Sequence, residues 1–234
     1  MLPVTLAALE DEATDVRRIT LDLDRHYAFF PGQALDLFRV IEGRQNTLSL
    51  AICSPAREDN RQIELAVKRS RHPVSHYLFT EAQVGDTLEI SPKAFGEVIF
   101  RPVFGDEVVL IAGGIGLSPL LSMFRTIHER WTDCKAYLVY SAATPESFAF
   151  REEIQRACAD NPRLKAWFNL SQPAPTAPDW IDHQGYLSTE FLASLSLPTL
   201  AHHYLCGPES MRLSVEQILL QQGVMKETIH YELW

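Results

Sequence analysis

The chain is poor in the features that mark membrane, secreted and iron–sulfur proteins. None of its apolar runs approaches the ~20 residues a membrane helix needs. Cysteine is scarce. Cys53, Cys134, Cys158 and Cys206 form neither a C-x-x-C pair nor the C-x4-C-x2-C run of a plant-type cluster. That spacing excludes an iron–sulfur domain built on them, and the four scattered thiols read as reduced side chains, not as a disulfide framework. The opening MLPVTLAALEDEATD turns acidic without a basic segment, so it does not read as a secretory signal, and a cytoplasmic location is expected. Basic residues are outnumbered, 21 Lys and Arg against 30 Asp and Glu. The resulting net charge of −9 argues against nucleic acid as a partner, since phosphates need a basic face. Neither nucleic acid nor a membrane is therefore expected as a partner.

What is present falls into two patterns. Up to about residue 102, short β-like segments alternate with turn residues: PVTLAAL, VRRITLDLD, ALDLFRVIE, TLSLAIC, QIELAVKR and DTLEIS, with VSHYLFTEA as one short helix. Six such strands predict a closed antiparallel Greek-key β-barrel. From residue 103 strands alternate with helices: EVVLIA, LSPLLSMFRTIHERW, KAYLVYSA, SFAFREEIQRACAD, LKAWFNLS, STEFLASL, HHYLCG, ESMRLSVEQILLQQG and TIHYELW. That grammar predicts an α/β domain with a five-stranded parallel sheet, and SQPAPTAPDW reads as a loop. The organisation expected is a barrel over 1–102 and an α/β domain over 103–234.

Glycine is also sparse, 11 in all, yet Gly113, Gly114 and Gly116 fall within four positions between a strand and a helix. Glycine lets a backbone approach a ligand closely, and a helix N-terminus offers free N–H groups to an anion such as a dinucleotide pyrophosphate. By itself the motif fits a ligand turn and a plain βα corner equally well.

Further stretches narrow the choice. FFPGQ at 29–33, AGGIGLSPLLSM at 112–123, YSAATPESFAFREEI at 140–154, YLCGPESM at 204–211 and the ending IHYELW occur in an order and spacing that resemble the ferredoxin–NADP reductase superfamily. The resemblance implies a flavin, FAD or alternatively FMN, on the barrel and NADH or NADPH on the α/β domain. It assigns dinucleotide contacts to Gly113, Gly114, Gly116, Pro119, Ser141, Gly207 and Pro208. Cys206 corresponds to the family cysteine beside the nicotinamide. Glu232 and Trp234 correspond to a terminal Glu-x-aromatic pair that covers the flavin and handles a proton.

One departure stands out. The family's flavin motif, R-x-[YF]-[ST], falls on Asn46, Thr47, Leu48 and Ser49, and only the serine is retained. The resemblance places Asn46, Leu48 and Ser49 at the flavin, with Ser49 near its reactive nitrogen; shifting the alignment by one or two residues brings other side chains there. Ser75, in HPVSHYL, matches a serine of the helix that approaches the flavin phosphate, and Lys68, Arg69 and Arg71 offer positive charge nearby. At YSAAT a frequent family arginine is replaced by Ala143, which favours NADH. The function implied is an NAD(P)H-dependent flavoprotein reductase feeding a ferredoxin or oxygenase component on a separate chain or domain. A reductase of loosely held free flavin and a non-catalytic assembly subunit are the alternatives.

Overall fold

Alternation of apolar and polar residues builds the first half. In a computed structural model describing residues 1–101, 105–131 and 133–231, six antiparallel strands form: β1 (Leu2–Ala13), β2 (Val16–Asp22), β3 (Ala34–Ile41), β4 (Arg44–Ala51), β5 (Gln62–Lys68) and β6 (Thr87–Ile90). Their order is β4-β3-β6-β1-β2-β5, so β6 returns to lie between β1 and β3, a Greek-key arrangement. Leu6, Ile19, Leu21, Leu35, Leu37, Ile63 and Leu65 fill the interior. Helix α1 (Pro73–Thr80) adds Val74, Tyr77 and Leu78 to the same core. The sheet's two edges meet just beyond β4, where Ile52 bridges Leu65 and the Cys53 N–H donates to the Glu64 carbonyl at 2.9 Å.

Strand β1 runs further than its sequence suggests. The acidic DEATD reads as a break, but β1 continues to Ala13 because Glu10 and Asp11 stand opposite Arg18 and Arg17. Opposite charges across a strand pair are mutually stabilising, so charge here extends the ladder instead of ending it.

The second half contains β7 (Glu107–Gly113), α2 (Leu117–Arg130), β8 (Lys135–Ala142), α3 (Arg151–Asp160), β9 (Leu164–Leu170), β10 (His183–Gln184), α4 (Thr189–Ser194), β11 (His202–Cys206), α5 (Glu209–Gln221) and β12 (Ile229–Tyr231). The sheet is parallel with order β10-β9-β8-β7-β11-β12. It has six strands, not the five expected. The extra one, β10, is a two-residue pairing of His183 and Gln184 with Asn169 and Leu170, too short to leave a periodic signal. Helix α3 also starts later than expected. Phe148 and Phe150 are buried anchors, and Phe150 adopts φ 58°, which no helix accommodates. The expected boundary at 102/103 falls outside the described residues.

The strand order reverses between β7 and β11. In open parallel sheets the carboxyl ends of strands at such a reversal leave a crevice, and ligands bind there. The glycine turn follows β7, and Cys206 ends β11.

Candidate functional site

The three clustered glycines have different reasons to be glycine. A Cβ on Gly116 would overlap the Cys206 carbonyl, lying 2.5 Å from its carbon and 2.7 Å from the Gly207 nitrogen. A Cβ on Gly113 would lie 2.7 Å from Met211 Sδ and 2.8 Å from Pro208 Cδ. These two positions therefore let the β7–α2 turn pack directly on the β11–α5 turn. Gly114 differs: its φ is 54° and nothing lies within 4 Å of where a Cβ would stand. It faces open space, so the backbone here can be approached closely.

That space is a cavity of about 610 Å³. Gly113, Gly114, Ile115, Ser141, Ala142, Pro208 and Met211 line it from the α/β domain, and Asp15, Val16 and Lys68 line it from the barrel. Its size suits a dinucleotide, and it follows the crevice from β8 across β7 to β11. Ser141 is held in place by Asn169, whose Nδ2 donates to its Oγ at 2.8 Å. Lys68 stands 3.4 Å from Asp15.

Of the residues expected at the dinucleotide, Gly113, Gly114, Ser141 and Pro208 line this one cavity. Gly116, Gly207 and Cys206 pack immediately behind it, with Cys206 9% exposed. Pro119 is buried in the first turn of α2, where a missing N–H costs nothing. Glu232 and Trp234 lie outside the described residues.

Tyr186 had no signal of its own in the pattern. It is 86% exposed at the cavity rim, between Gly185 (φ 105°) and Ser188, which caps α4. A glycine next to an aromatic just before a helix cap was the available cue. Arg151, by contrast, is committed elsewhere. It donates to Gln155 at 2.7 Å and Glu152 at 3.0 Å and lies 4.7 Å over the Trp180 ring. Among the described residues lining the cavity, Lys68 is the only cation.

On the barrel, the alternation of β4 decides which side chains reach its outer face. Leu48 packs against the barrel core and Leu50 lies within it, so Thr47, Ser49 and Ala51 point outward. Leu48 therefore cannot flank a ring on the outside, which corrects the register placing it there. Asn46 donates to the Arg44 carbonyl at 2.9 Å, and Ser49 donates to Asp36 at 2.6 Å. Ser75 is fully buried, its Oγ donating to Lys68 O at 2.9 Å and accepting from Ser70 N at 3.0 Å. It fixes the connection between β5 and α1.

Just past β4, the Ile52–Leu65 bridge and the Cys53 N–H bond to the Glu64 carbonyl at 2.9 Å tie this end of the strand to β5. The N-terminus of α1 has two of its backbone donors removed: Pro73 has no N–H, and the Val74 N–H is already bonded to His72 at 3.3 Å. Arg69 lies 4.3 Å over the Phe79 ring.

Comparison with known proteins agrees with this geometry. Residues 110–217 match the oxidoreductase NAD-binding domain family. The chain is 30% identical over 241 residues to the oxidoreductase NAD-binding domain-containing protein 1 of Danio rerio, covering 95% of this chain and 88% of that protein. It is 31% identical over 220 residues to a flavohemoprotein of Bacillus cereus, with 88% of this chain aligned. The match spans about half, 53%, of that relative's length. In structure it superposes on the flavohem-like FAD/NAD binding domain of nitric oxide dioxygenase from Vibrio cholerae, with a TM-score of 0.87 at 23% identity, covering 100% of this chain and 98% of the other.

Proposed function

Since this chain belongs to the ferredoxin–NADP reductase superfamily of NAD-binding oxidoreductases, we propose that it oxidises a nicotinamide dinucleotide and delivers the electrons singly to a protein acceptor through FAD. The observation that carries the reading is the shared cavity. One wall is the glycine turn of a parallel sheet at its strand reversal, and the other is the barrel's own Asp15, Val16 and Lys68. A dinucleotide held there meets both domains at once. A bound flavin supplies the chemistry that side chains lack, taking two electrons as hydride and releasing them one at a time.

The chain's own residues bind and orient. The Gly114 backbone receives the pyrophosphate beside the N-terminus of α2. Cys206, at the end of β11, packs under the nicotinamide end and excludes water. Tyr186 provides a platform at the rim for the dinucleotide's adenine. Replacing it with alanine is expected to weaken NADH binding by about 5- to 150-fold, the equivalent of about 1–3 kcal/mol of base stacking, while flavin binding is unchanged. Fluorescence titration with NADH measures this.

NADH is the proposed coenzyme. A 2′-phosphate needs a cation near the end of β8, where Ser141, Ala142 and Ala143 offer none and Arg151 is already engaged. The proposed acceptor is a ferredoxin, an oxygenase component or a haem protein, on another chain or domain.

A second reading, reduction of free flavin as a diffusible substrate, is favoured by one observation. The outer face of β4 presents Thr47, Ser49 and Ala51, with neither an arginine nor an aromatic ring. The test is NADH oxidation by the purified chain with a one-electron acceptor and increasing FAD. The expected outcome is turnover that saturates at stoichiometric FAD, with NADPH at least tenfold poorer in kcat/KM. Saturation only at FAD well above the protein concentration supports the second reading. Absence of turnover rejects both.

A further inference from the structure

Helix α2 carries the dinucleotide turn at its N-terminus and presents a bonded face to the barrel. Ser122 Oγ donates to the Ser54 carbonyl at 2.7 Å, and Thr126 Oγ1 accepts the Ala56 N–H at 2.9 Å. Arg130 donates to the Ala56 carbonyl at 2.9 Å, while Arg57 from the barrel grips Glu129 at 2.8 and 2.9 Å. Positions 122, 126, 129 and 130 share one helical face.

Arg125 sits at the centre of this contact with its side chain 9% exposed. Its Nη1 donates to the Cys53 carbonyl at 2.9 Å and to Glu64 at 2.6 Å. Its Nε and Nη2 fork onto Glu153 of α3 at 2.5 and 2.6 Å. Cys53 and Glu64 are themselves joined by the backbone bond that closes the barrel where β4 and β5 meet. Phe150, held at φ 58°, sets its ring 5.2 Å from the Arg125 guanidinium and 6.0 Å from that of Arg18. A phenylalanine in the left-handed region persists only where its surroundings over-determine it, and such residues gather at sites with a task.

We infer that Arg125 is a positioning residue for electron transfer: it holds the β4–β5 seam, at the end of the strand on which the flavin motif Asn46–Ser49 falls, in register with the dinucleotide turn on its own helix. The inference rests on the reductase reading above. Arg125 lies two turns from Leu117, so about 12 Å of rigid helix separates the clamp from the glycine turn. Motion of the seam relative to α2 moves one reactant's platform against the other's. Hydride transfer tolerates little of this, because a 1 Å misplacement costs on the order of a hundredfold in rate. Only a planar fork of five donors spans the seam and α3 together. A lysine keeps the charge but reaches one side at a time.

The experiment compares wild type, Arg125→Lys and Ser122→Ala. For each, NADH affinity is measured on flavin-free protein, flavin content by absorbance, and flavin bleaching in an anaerobic single turnover. Amide exchange at Cys53 reports the seam itself. For Arg125→Lys the expected result is NADH and FAD affinities within about threefold of wild type, faster exchange at Cys53, and bleaching slowed at least about tenfold. The long-wavelength absorbance of stacked nicotinamide and flavin is expected to weaken in parallel. Ser122→Ala, which removes one neutral bond from the same face, is expected to show a smaller loss of the same kind and serves alone if Arg125→Lys does not fold. Unchanged bleaching, or slowing accounted for by lost NADH or flavin binding, overturns the inference. If wild type itself is not bleached by NADH, the reductase reading fails first.

Discussion

Replacing Gly116 with alanine is expected to abolish NADH binding and to cost at least about 3 kcal/mol of stability, at the upper end for overpacking a core. The backbone conformation is not the obstacle, since φ is −60°. The added carbon would press into the Cys206 carbonyl and the Gly207 nitrogen, and neither is a flexible side chain that can turn aside. The two turns that form the crevice must then separate, spoiling the cavity they line. Gly114→Ala is the matched contrast. It meets nothing within 4 Å and suffers only from φ 54°, about 1–2 kcal/mol for an alanine. It should therefore fold and keep its flavin, yet bind NADH more weakly. Denaturant unfolding and NADH titration of both variants check the pair. Equal behaviour of the two would mean that packing and ligand approach are not divided between these glycines.

The second large effect concerns pH. His203 is fully buried on β11, its Nδ1 near the Ala201 carbonyl at 2.9 Å and its Nε2 without a hydrogen-bond partner among the described groups. Burial pushes its pKa down from 6.5 to about 4. The unfolded chain therefore takes up a proton between those values that the folded chain refuses. Stability is full above pH 6.5 and falls as the pH drops toward 4, by about 3 kcal/mol in total. Burial also lowers the pKa of His202 and of His230, which face each other with Nδ1 and Nε2 2.6 Å apart, and this steepens the same fall. Unfolding free energies between pH 7.5 and 4.5 should show the decline, and His203→Leu should flatten it. A wild-type curve level over that window would contradict the burial of a neutral imidazole.

The fold was readable where one period dominates. Alternating strands such as QIELAVK and apolar runs such as EVVLIA announce the barrel and the parallel sheet, and CGPESM marks the β11–α5 corner. The failures have identifiable causes. Cross-strand charge pairs carried β1 through a stretch that looked like a loop. A two-residue strand, β10, gave no period at all. In β4 the Asn46–Ser49 register placed Leu48 outside the barrel, although Leu48 and Leu50 alternate inward together. Period two makes any odd-numbered slip exchange the faces. Arg125 was invisible for another reason. Its partners Glu64 and Glu153 lie 61 and 28 residues away, so nothing near it in the chain signals the clamp.

The most direct test of a shared dinucleotide and flavin site is the visible spectrum of the FAD-loaded protein, recorded anaerobically before and after one equivalent of NADH. The expected result is that the flavin band near its oxidised maximum bleaches within a single turnover, faster than with NADPH, and that one-electron acceptors restore it. A flavin band that persists under NADH, in protein shown by titration to bind both molecules, would contradict it: the two sites would then be present without being aligned for transfer.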